Sequence, residues 1–192
     1  MEQDAAGTGK ENTMIVSKPD KEYEPLPLGL QPAICINYYD LGYQRGYNNR
    51  SQHKLVLLFE LEAKRTDGSR FLATKKYTAS LGDKATLLKD LQSWRGVAFT
   101  VEELKGFDLE RIRGKACQLN MVSIVKGNGD PYAVVDSVLP PPRGWQAFQT
   151  ETAPDYIPEW VLEAMEAQLP PPDQNRRLQA LAGEDFPDDI PF

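Results

Sequence analysis

Alternating apolar and polar residues mark the middle of the chain as β-structure. In HKLVLLFELEAK the side chains at positions 55, 57, 59 and 61 are apolar, and charged residues fall between several of them. This two-residue period is typical of a strand with one buried face. A TDGS turn joins the segment to RFLATKKYTA, and an Asp-Gly turn between two such segments predicts a β-hairpin. The earlier segment PAICINYYDLG is rich in β-branched and aromatic residues and ends at a glycine, which predicts another strand.

After the hairpin, the spacing of apolar residues changes to that of a helix. DKATLLKDLQSW carries three leucines and Trp94 at helical spacing, and Trp94 is predicted to fill the core. Asp83 is predicted to cap this helix and Gly96 to end it. The next segment, TVEELKGFDLERIRG, begins with Thr100 and Glu103, whose spacing predicts a capping box and a second short helical stretch.

Two more strands, KACQLNMVSIVKG and DPYAVVDSVLP, follow around a GNGD turn. Three strands, a helical insertion and two strands form the order of the OB-fold, a five-stranded Greek-key barrel. A ferredoxin-like fold needs a helix where YQRGYNNRSQ stands, and a doubly wound sheet needs alternating helices. The prediction is therefore a mainly β protein whose OB-fold domain spans residues 26–145, with flexible acidic tails.

The segments outside the predicted barrel differ from it in composition. Residues 1–25 are polar and are predicted to be disordered. Residues 146–183 are acidic and punctuated by prolines, which predicts a linker. Within it, residues 158–169 fit one amphipathic helix, whose apolar stripe would pack on the barrel or on a second copy, or else bind a dedicated partner. Residues 184–192, EDFPDDIPF, combine acids with large apolar groups, as a short protein-interaction tip does.

Charge is distributed unevenly along the chain. The overall net charge is −6, but residues 1–25 carry −3, residues 26–145 carry +5 and residues 146–192 carry −8. The basic middle allows a polyanionic partner that the acidic total would argue against. Between Tyr43 and Lys76, eight basic residues stand against three acidic ones.

The composition also narrows the functional classes. No apolar run reaches the roughly 18 residues needed to cross a bilayer, and the N-terminal segment lacks the apolar core of a signal peptide, so a cytoplasmic protein is expected. Cys35 and Cys117 are expected to be buried and reduced. With His53 as the single histidine, neither a metal site nor a cofactor is predicted. Because no catalytic constellation is present, we expect a non-enzyme.

Tyrosines interleaved with cations predict a surface for single-stranded nucleic acid. Cations near phosphates release counterions, and a tyrosine ring can stack on any base, so neither contact depends on sequence. The pattern places Tyr38 and Tyr39 equally well in the core or at the nucleic-acid surface. Lys75 and Lys76 are adjacent in a strand and must point to opposite faces, so at most one of them lines a given groove. The full set of predicted contact residues is Tyr38, Tyr39, Tyr43, Arg45, Tyr47, Arg50, Lys54, Arg70, Lys75, Lys76 and Tyr77.

Several segments resemble phage-encoded single-stranded DNA-binding proteins. They are LGLQPAICINYYDLGY, KKYTASLGDKATLLKDLQSWRG, FTVEELKGFDLERIRGKACQLNMV and YAVVDSVLPPP, within about residues 26–142. Separately, PDDIPF is similar to the acidic tip of bacterial single-stranded DNA-binding proteins, which commonly ends DDDIPF, with Pro187 replacing the first acid. That resemblance implies recruitment of replication, recombination and repair enzymes. The tip residues concerned are Asp185, Phe186, Asp188, Asp189, Ile190, Pro191 and Phe192.

The sequence therefore favours a non-enzymatic protein that coats single-stranded DNA in the cytoplasm of a phage-infected bacterium and recruits enzymes through its tip. If it self-associates, a dimer is expected rather than the tetramer of the bacterial proteins. Two alternatives remain open: a single-strand annealing or recombination mediator, and an adaptor whose barrel binds protein instead of nucleic acid.

Overall fold

Five strands pair into one open antiparallel sheet in the computed structural model of the chain, which describes residues 24–46, 50–125, 127 and 129–172. The strand order across the sheet is β3-β2-β1-β4-β5. The strands are β1 (Gly29–Arg45), β2 (Ser51–Lys64), β3 (Arg70–Thr78), β4 (Ala116–Val125) and β5 (Pro131–Leu139). The helices are α1 (Thr86–Arg95), α2 (Val101–Lys105) and α3 (Glu159–Glu166), and a 3-10 turn covers Leu109–Ile112.

The long first strand organises the sheet. Its first part, from Gly29 to Ile34, pairs with β4, and the part from Ala33 to Arg45 pairs with β2. The predicted hairpin of β2 and β3 is confirmed, and Gly68 in its turn has φ +84°, a conformation that favours glycine. The fold is thus mainly β, with helices between β3 and β4 as predicted.

The main core lies between one face of the sheet and α1. It contains the alternating residues of β2 that the sequence assigned to one face, together with the leucines of α1. Trp94 is 8% exposed, and its indole Nε1 donates to the Ala116 carbonyl oxygen at 2.7 Å, which confirms its place in the core. Cys35 and Cys117 are buried free thiols, also as predicted.

The helix ends agree with the sequence prediction except at one position. Gly96, with φ +70°, ends α1, and Thr100 and Glu103 form the predicted capping box of α2. The prediction that Asp83 caps α1 is wrong, because the N-cap residue is Ala85 and no side chain makes a capping hydrogen bond there. The helix start is instead set by packing of its leucines into the core.

A side chain joins the two edge strands of the sheet. Among the described residues, β3 and β5 form no backbone ladder, but the Lys75 ammonium on β3 donates to the Asp136 carbonyl oxygen on β5. The same ammonium lies 2.6 Å from Asp90 Oδ2 on α1. Lys75 therefore ties both edges of the sheet to the helix.

The opposite face of the sheet is covered by residues 145–169, which we call the strap. The buried Glu60 carboxylate on β2 accepts hydrogen bonds from the backbone N–H groups of Glu151 at 2.8 Å and Thr152 at 2.9 Å. Val161 on α3 is 0% exposed and packs in a second core with apolar residues of β1 and β2. At the strap's end, the Leu169 N–H donates to the Tyr43 carbonyl oxygen at 2.6 Å.

The strap falls within the region whose composition predicts a linker, and it packs as part of the folded body. The amphipathic helix expected over residues 158–169 is present as α3, and Val161 and Met165 of its stripe pack on the sheet, one of the placements expected, whereas Leu162 is 45% exposed. Residues 1–23, the later part of the predicted linker and the tip at residues 184–192 lie outside the described residues. Among the described residues, no helix is both long and apolar enough to cross a membrane.

Candidate nucleic-acid interface

Rings and cations meet at the end of the sheet where β1 stops and β2 begins. The rings of Tyr43 and His53 stack with their centroids 5.1 Å apart at an interplanar angle of 23°. His53 Nε2 lies 2.6 Å from Asp40 Oδ1, which fixes the imidazole beside the tyrosine. The register of β1 and β2 shifts between Asp40 and Tyr43, and Gly42 takes φ +63° there. This irregular turn of the strand brings Tyr43 opposite His53.

Strand alternation decides which side Tyr43 and Arg45 face. Gln44 Nε2 donates to the Ala164 carbonyl oxygen on α3 at 2.7 Å, so Gln44 points towards the strap. Its neighbours Tyr43 and Arg45 therefore point to the other face. Arg50 is exposed on the far side of the loop, which the Gly46 N–H closes by donating to the Arg50 carbonyl oxygen at 2.8 Å. Tyr47, predicted as a contact residue, lies outside the described residues.

Two further cations lie on the strap side of the same end. Lys54 and Lys76 are neighbours on β2 and β3, and the pKa of Lys54 is lowered by burial and then by the charge of Lys76. The Lys54 ammonium donates to Thr78 Oγ1 at 2.7 Å. The Lys76 ammonium lies 5.2 Å from the centre of the Trp160 ring, a cation–π contact.

Trp160 is a residue that the sequence analysis missed. It is 37% exposed on α3. The acids and prolines around it predict a linker, and for that reason the sequence analysis does not name it as a contact residue. The signal was available, because Trp160 is a large ring one position before the apolar stripe that begins at Val161. We call the combined surface the basic rim; it consists of Tyr43, Arg45, Arg50, His53, Lys54, Lys76 and Trp160.

The basic rim keeps its cations available for an anionic ligand. Among the described residues, no ion pair involves Arg45, Arg50, Lys54 or Lys76. Acidic residues of α3 stand beside the rim on the strap side, whereas the face of Tyr43 and Arg45 looks away from α3. A polyanion on the strap side meets Lys54, Lys76 and Trp160 and passes these acids, and Tyr43 and Arg45 offer it contacts on the other face of the same end.

Lys75 and Tyr77 are built into the core instead. Tyr77 is 2% exposed, and its hydroxyl donates to Asp90 Oδ2 at 2.8 Å. Burial and the neighbouring Asp90 carboxylate raise the pKa of Tyr77. The expected opposition of Lys75 and Lys76 is confirmed, with Lys75 facing α1 and Lys76 facing α3. A ring and an ammonium enclosed in this way cannot contact a strand of nucleic acid, so we leave Lys75 and Tyr77 out of the interface.

Arg70 and Tyr39 are held by the strap. The Arg70 guanidinium lies 4.0 Å from the centre of the Phe148 ring, and its Nε is 3.5 Å from Glu60 Oε1 and 3.3 Å from Glu151 Oε1. Tyr39 is 7% exposed, and its hydroxyl donates to the Tyr156 carbonyl oxygen. Both residues therefore bind the protein's own chain, and we leave them out of the interface.

Tyr38 lies next to carboxylates of the 3-10 turn. Its ring packs against the main core, and its pKa is raised by burial and then by Glu110. Because its ring packs against the main core and Glu110 and Asp108 would repel a phosphate, Tyr38 is a poorer candidate than Tyr43, whose neighbouring acid Asp40 is engaged by His53.

The basic rim presents cations and aromatic rings, groups that can contact phosphates and bases. Among the described residues, no group of His, Cys, Asp or Glu side chains could hold a metal ion. A scan against models of known protein families finds no family that matches the chain. A search of curated proteins likewise finds no similar sequence.

Proposed function

We propose that the protein binds single-stranded DNA with little sequence preference, without catalysis, during phage DNA replication, recombination and repair. The observation that carries the proposal is the basic rim, where stacked rings and cations without described acidic partners share one end of the sheet. Cations there would neutralise phosphates and release counterions. Exposed rings would stack on bases of any identity.

We also propose that the open sheet is a form of the OB-fold. The helices between β3 and β4, and the Lys75 bridge between the edge strands, support this assignment. In OB-folds the face of strands 2 and 3 and the loop between strands 1 and 2 bind oligonucleotides. The basic rim takes in that loop and the adjoining ends of β2 and β3.

The proposed biological role includes recruitment of partner enzymes. The tip at residues 184–192 joins acidic side chains to Phe186, Ile190 and Phe192. This combination suits a partner that has basic side chains around an apolar pocket. We place the protein in the bacterial cytoplasm, where such enzymes act on phage DNA.

Titration of fluorescent oligo-dT with the full chain at two salt concentrations tests the proposal. The expected result is binding whose logarithmic affinity falls linearly with the logarithm of salt concentration. The Lys54→Gln/Lys76→Gln variant should reduce the steepness of that line by about 1.4, since each lost phosphate contact on a single strand removes about 0.7. The matched control, Lys84→Gln/Lys89→Gln, removes two exposed lysines elsewhere and should keep the slope.

A second pair of variants tests the ring contribution. Trp160→Ala should weaken binding by about 5- to 150-fold with little change in the salt slope, because stacking is worth roughly 1–3 kcal/mol per base. Leu162→Ala, on the same helix and 45% exposed, is the control and should bind normally. Absence of any affinity for oligo-dT at low salt would exclude the proposed function and leave the protein-binding adaptor as the remaining hypothesis.

A further inference from the structure

A second surface on which cations contact aromatic rings lies beside α1 and shares no residue with the basic rim. The Arg95 guanidinium lies 4.5 Å from the centre of the Phe99 ring, and the Arg111 guanidinium lies 5.8 Å from the centre of the Phe107 ring. The two rings contact each other edge to face, with centroids 5.0 Å apart. The two cations and two rings form one cluster, which we call the Arg-Phe cluster.

The Arg-Phe cluster borders a cavity of about 330 Å³ with an apolar interior. Leu91, Trp94 and Ile112 line it, and Arg95, Arg111 and Lys115 stand among its charged lining residues. Among the described residues that line the cavity, Glu103 is the acidic one, and its Oε1 lies 2.9 Å from Arg95 Nη2. Because Arg95 hydrogen-bonds to it, the pKa of Glu103 is lowered and the carboxylate stays charged.

Two of the cations lack an acidic partner in the part of the chain that the structure describes. Neither Arg111 nor Lys115 forms an ion pair with a described carboxylate, and both side chains are exposed. An apolar cavity with cations at its mouth suits a peptide that carries acidic side chains around an apolar anchor.

The shape of the site favours such a peptide over a nucleic acid. Phe99 is 8% exposed, and guanidinium groups lie over the faces of Phe99 and Phe107. Because Phe99 is nearly buried and packs edge to face with Phe107, it offers no open face for a base to stack on, unlike the 37% exposed ring of Trp160. The cavity instead has room for one large apolar side chain.

The chain itself contains a segment with this chemistry. We propose that the cavity beside α1 binds residues 184–192, with Phe186, Ile190 or Phe192 inserted and Asp185, Asp188 and Asp189 against Arg111 and Lys115. The twenty residues from Asp173 to Phe192 can span up to about 68 Å when extended. That length exceeds the path of roughly 60 Å around half the circumference of a compact domain of about 150 residues, so the tip can reach the cavity of its own chain.

Site-specific photo-crosslinking in the full chain tests this assignment. The photoreactive residue p-benzoylphenylalanine is incorporated at position 192, and the crosslinked residues are identified by mass spectrometry. The expected products join position 192 to residues that line the cavity, such as Trp94, Phe107 and Lys115. Crosslinks to the basic rim, or products scattered over the surface, would overturn the proposal.

Two kinds of variant separate docking from chance proximity. Arg111→Glu/Lys115→Glu should lower the crosslinking yield at least about tenfold, because like charges brought together cost several kcal/mol. Lys84→Glu/Lys89→Glu, which changes the net charge equally at exposed sites away from the cavity, should leave the yield unchanged. Phe186→Ser/Ile190→Ser, which changes no residue of the described fold, should also reduce the yield.

The design keeps this proposal apart from nucleic-acid binding. Crosslinking at the cavity should persist when oligo-dT saturates the protein, because the two surfaces share no residue. Loss of the cavity crosslinks on addition of oligo-dT would contradict the assignment of separate sites. A chain that fails to bind oligo-dT but still crosslinks at the cavity would disprove the proposed function while leaving this inference standing.

Discussion

Replacing Glu60 by glutamine should loosen the strap and destabilise the protein by about 2–4 kcal/mol. The Glu60 side chain is 0% exposed, and its two oxygens accept hydrogen bonds from the N–H groups of Glu151 and Thr152. Glutamine has one acceptor oxygen, so one of these N–H groups would face an NH₂ donor. Losing a hydrogen bond to a charged group costs about 1.5–3 kcal/mol.

The neighbouring arginine adds to this cost. Arg70, whose side chain is 13% exposed, would lose its buried carboxylate partner while keeping Glu151, which is 45% exposed. Removing one partner of a fully buried ion pair costs about 3–5 kcal/mol, and the remaining contact with Glu151 offsets much of that amount. If the ion pair then contributes about 0.5–1 kcal/mol, the two losses add to about 2–4 kcal/mol.

Two measurements check the Glu60→Gln prediction. Urea unfolding followed by tryptophan fluorescence gives the change in the free energy of unfolding, and hydrogen exchange reports whether the amides of Glu151 and Thr152 lose protection before those of the sheet. The control Glu159→Gln alters an exposed carboxylate on α3 and should stay within about 0.5 kcal/mol of the parent protein. If Glu60→Gln also stayed within that margin, the reasoning about the buried carboxylate would be refuted.

Three further predictions concern other parts of the fold. Asp90→Asn should destabilise the protein by about 3–5 kcal/mol, since it leaves the Lys75 ammonium enclosed without its carboxylate, and urea unfolding measures this. Burial raises the pKa of Cys35 to about 12, so both thiols should resist a thiol reagent at pH 8 until urea unfolds the chain; rapid reaction of the native protein would disprove their burial. Lys64 holds the pKa of Glu151 below its ordinary 4.5. The ionised Glu151 carboxylate therefore stabilises the fold above pH 4.5, and this stabilisation is lost as the pH falls through the lower pKa of the folded state. In Glu151→Gln that part of the acid dependence should disappear from thermal melts between pH 5 and 2.

Local patterns predicted the sheet and its insertion because those elements depend on near neighbours. The alternation in β2, the turn at Gly68 and the capping box at Thr100 each involve residues a few positions apart. These signals remain visible in a sequence without any knowledge of distant contacts. The five strands and the two helical stretches were therefore predicted in the right order.

Contacts between distant residues account for what the sequence could not predict. Glu60 looks like an exposed charge in an alternating strand, but it is buried because amides 91 and 92 residues later bind its carboxylate. The acids and prolines of the strap region predict a linker, but Val161 anchors the strap in a second core. The sequence predicts Tyr77 as a surface ring, because nothing near it in the chain indicates that its hydroxyl donates to Asp90.

The strap also decides how the molecule can be divided. Because residues 145–169 cover apolar side chains of β1 and β2, a protein cut after the proline run at residues 140–142 would expose Tyr39, Leu41 and Val56 to water. Such a fragment would aggregate, whereas a cut after residue 170 keeps both faces of the sheet covered. Any fusion that replaces the C-terminal segment should therefore be joined beyond α3.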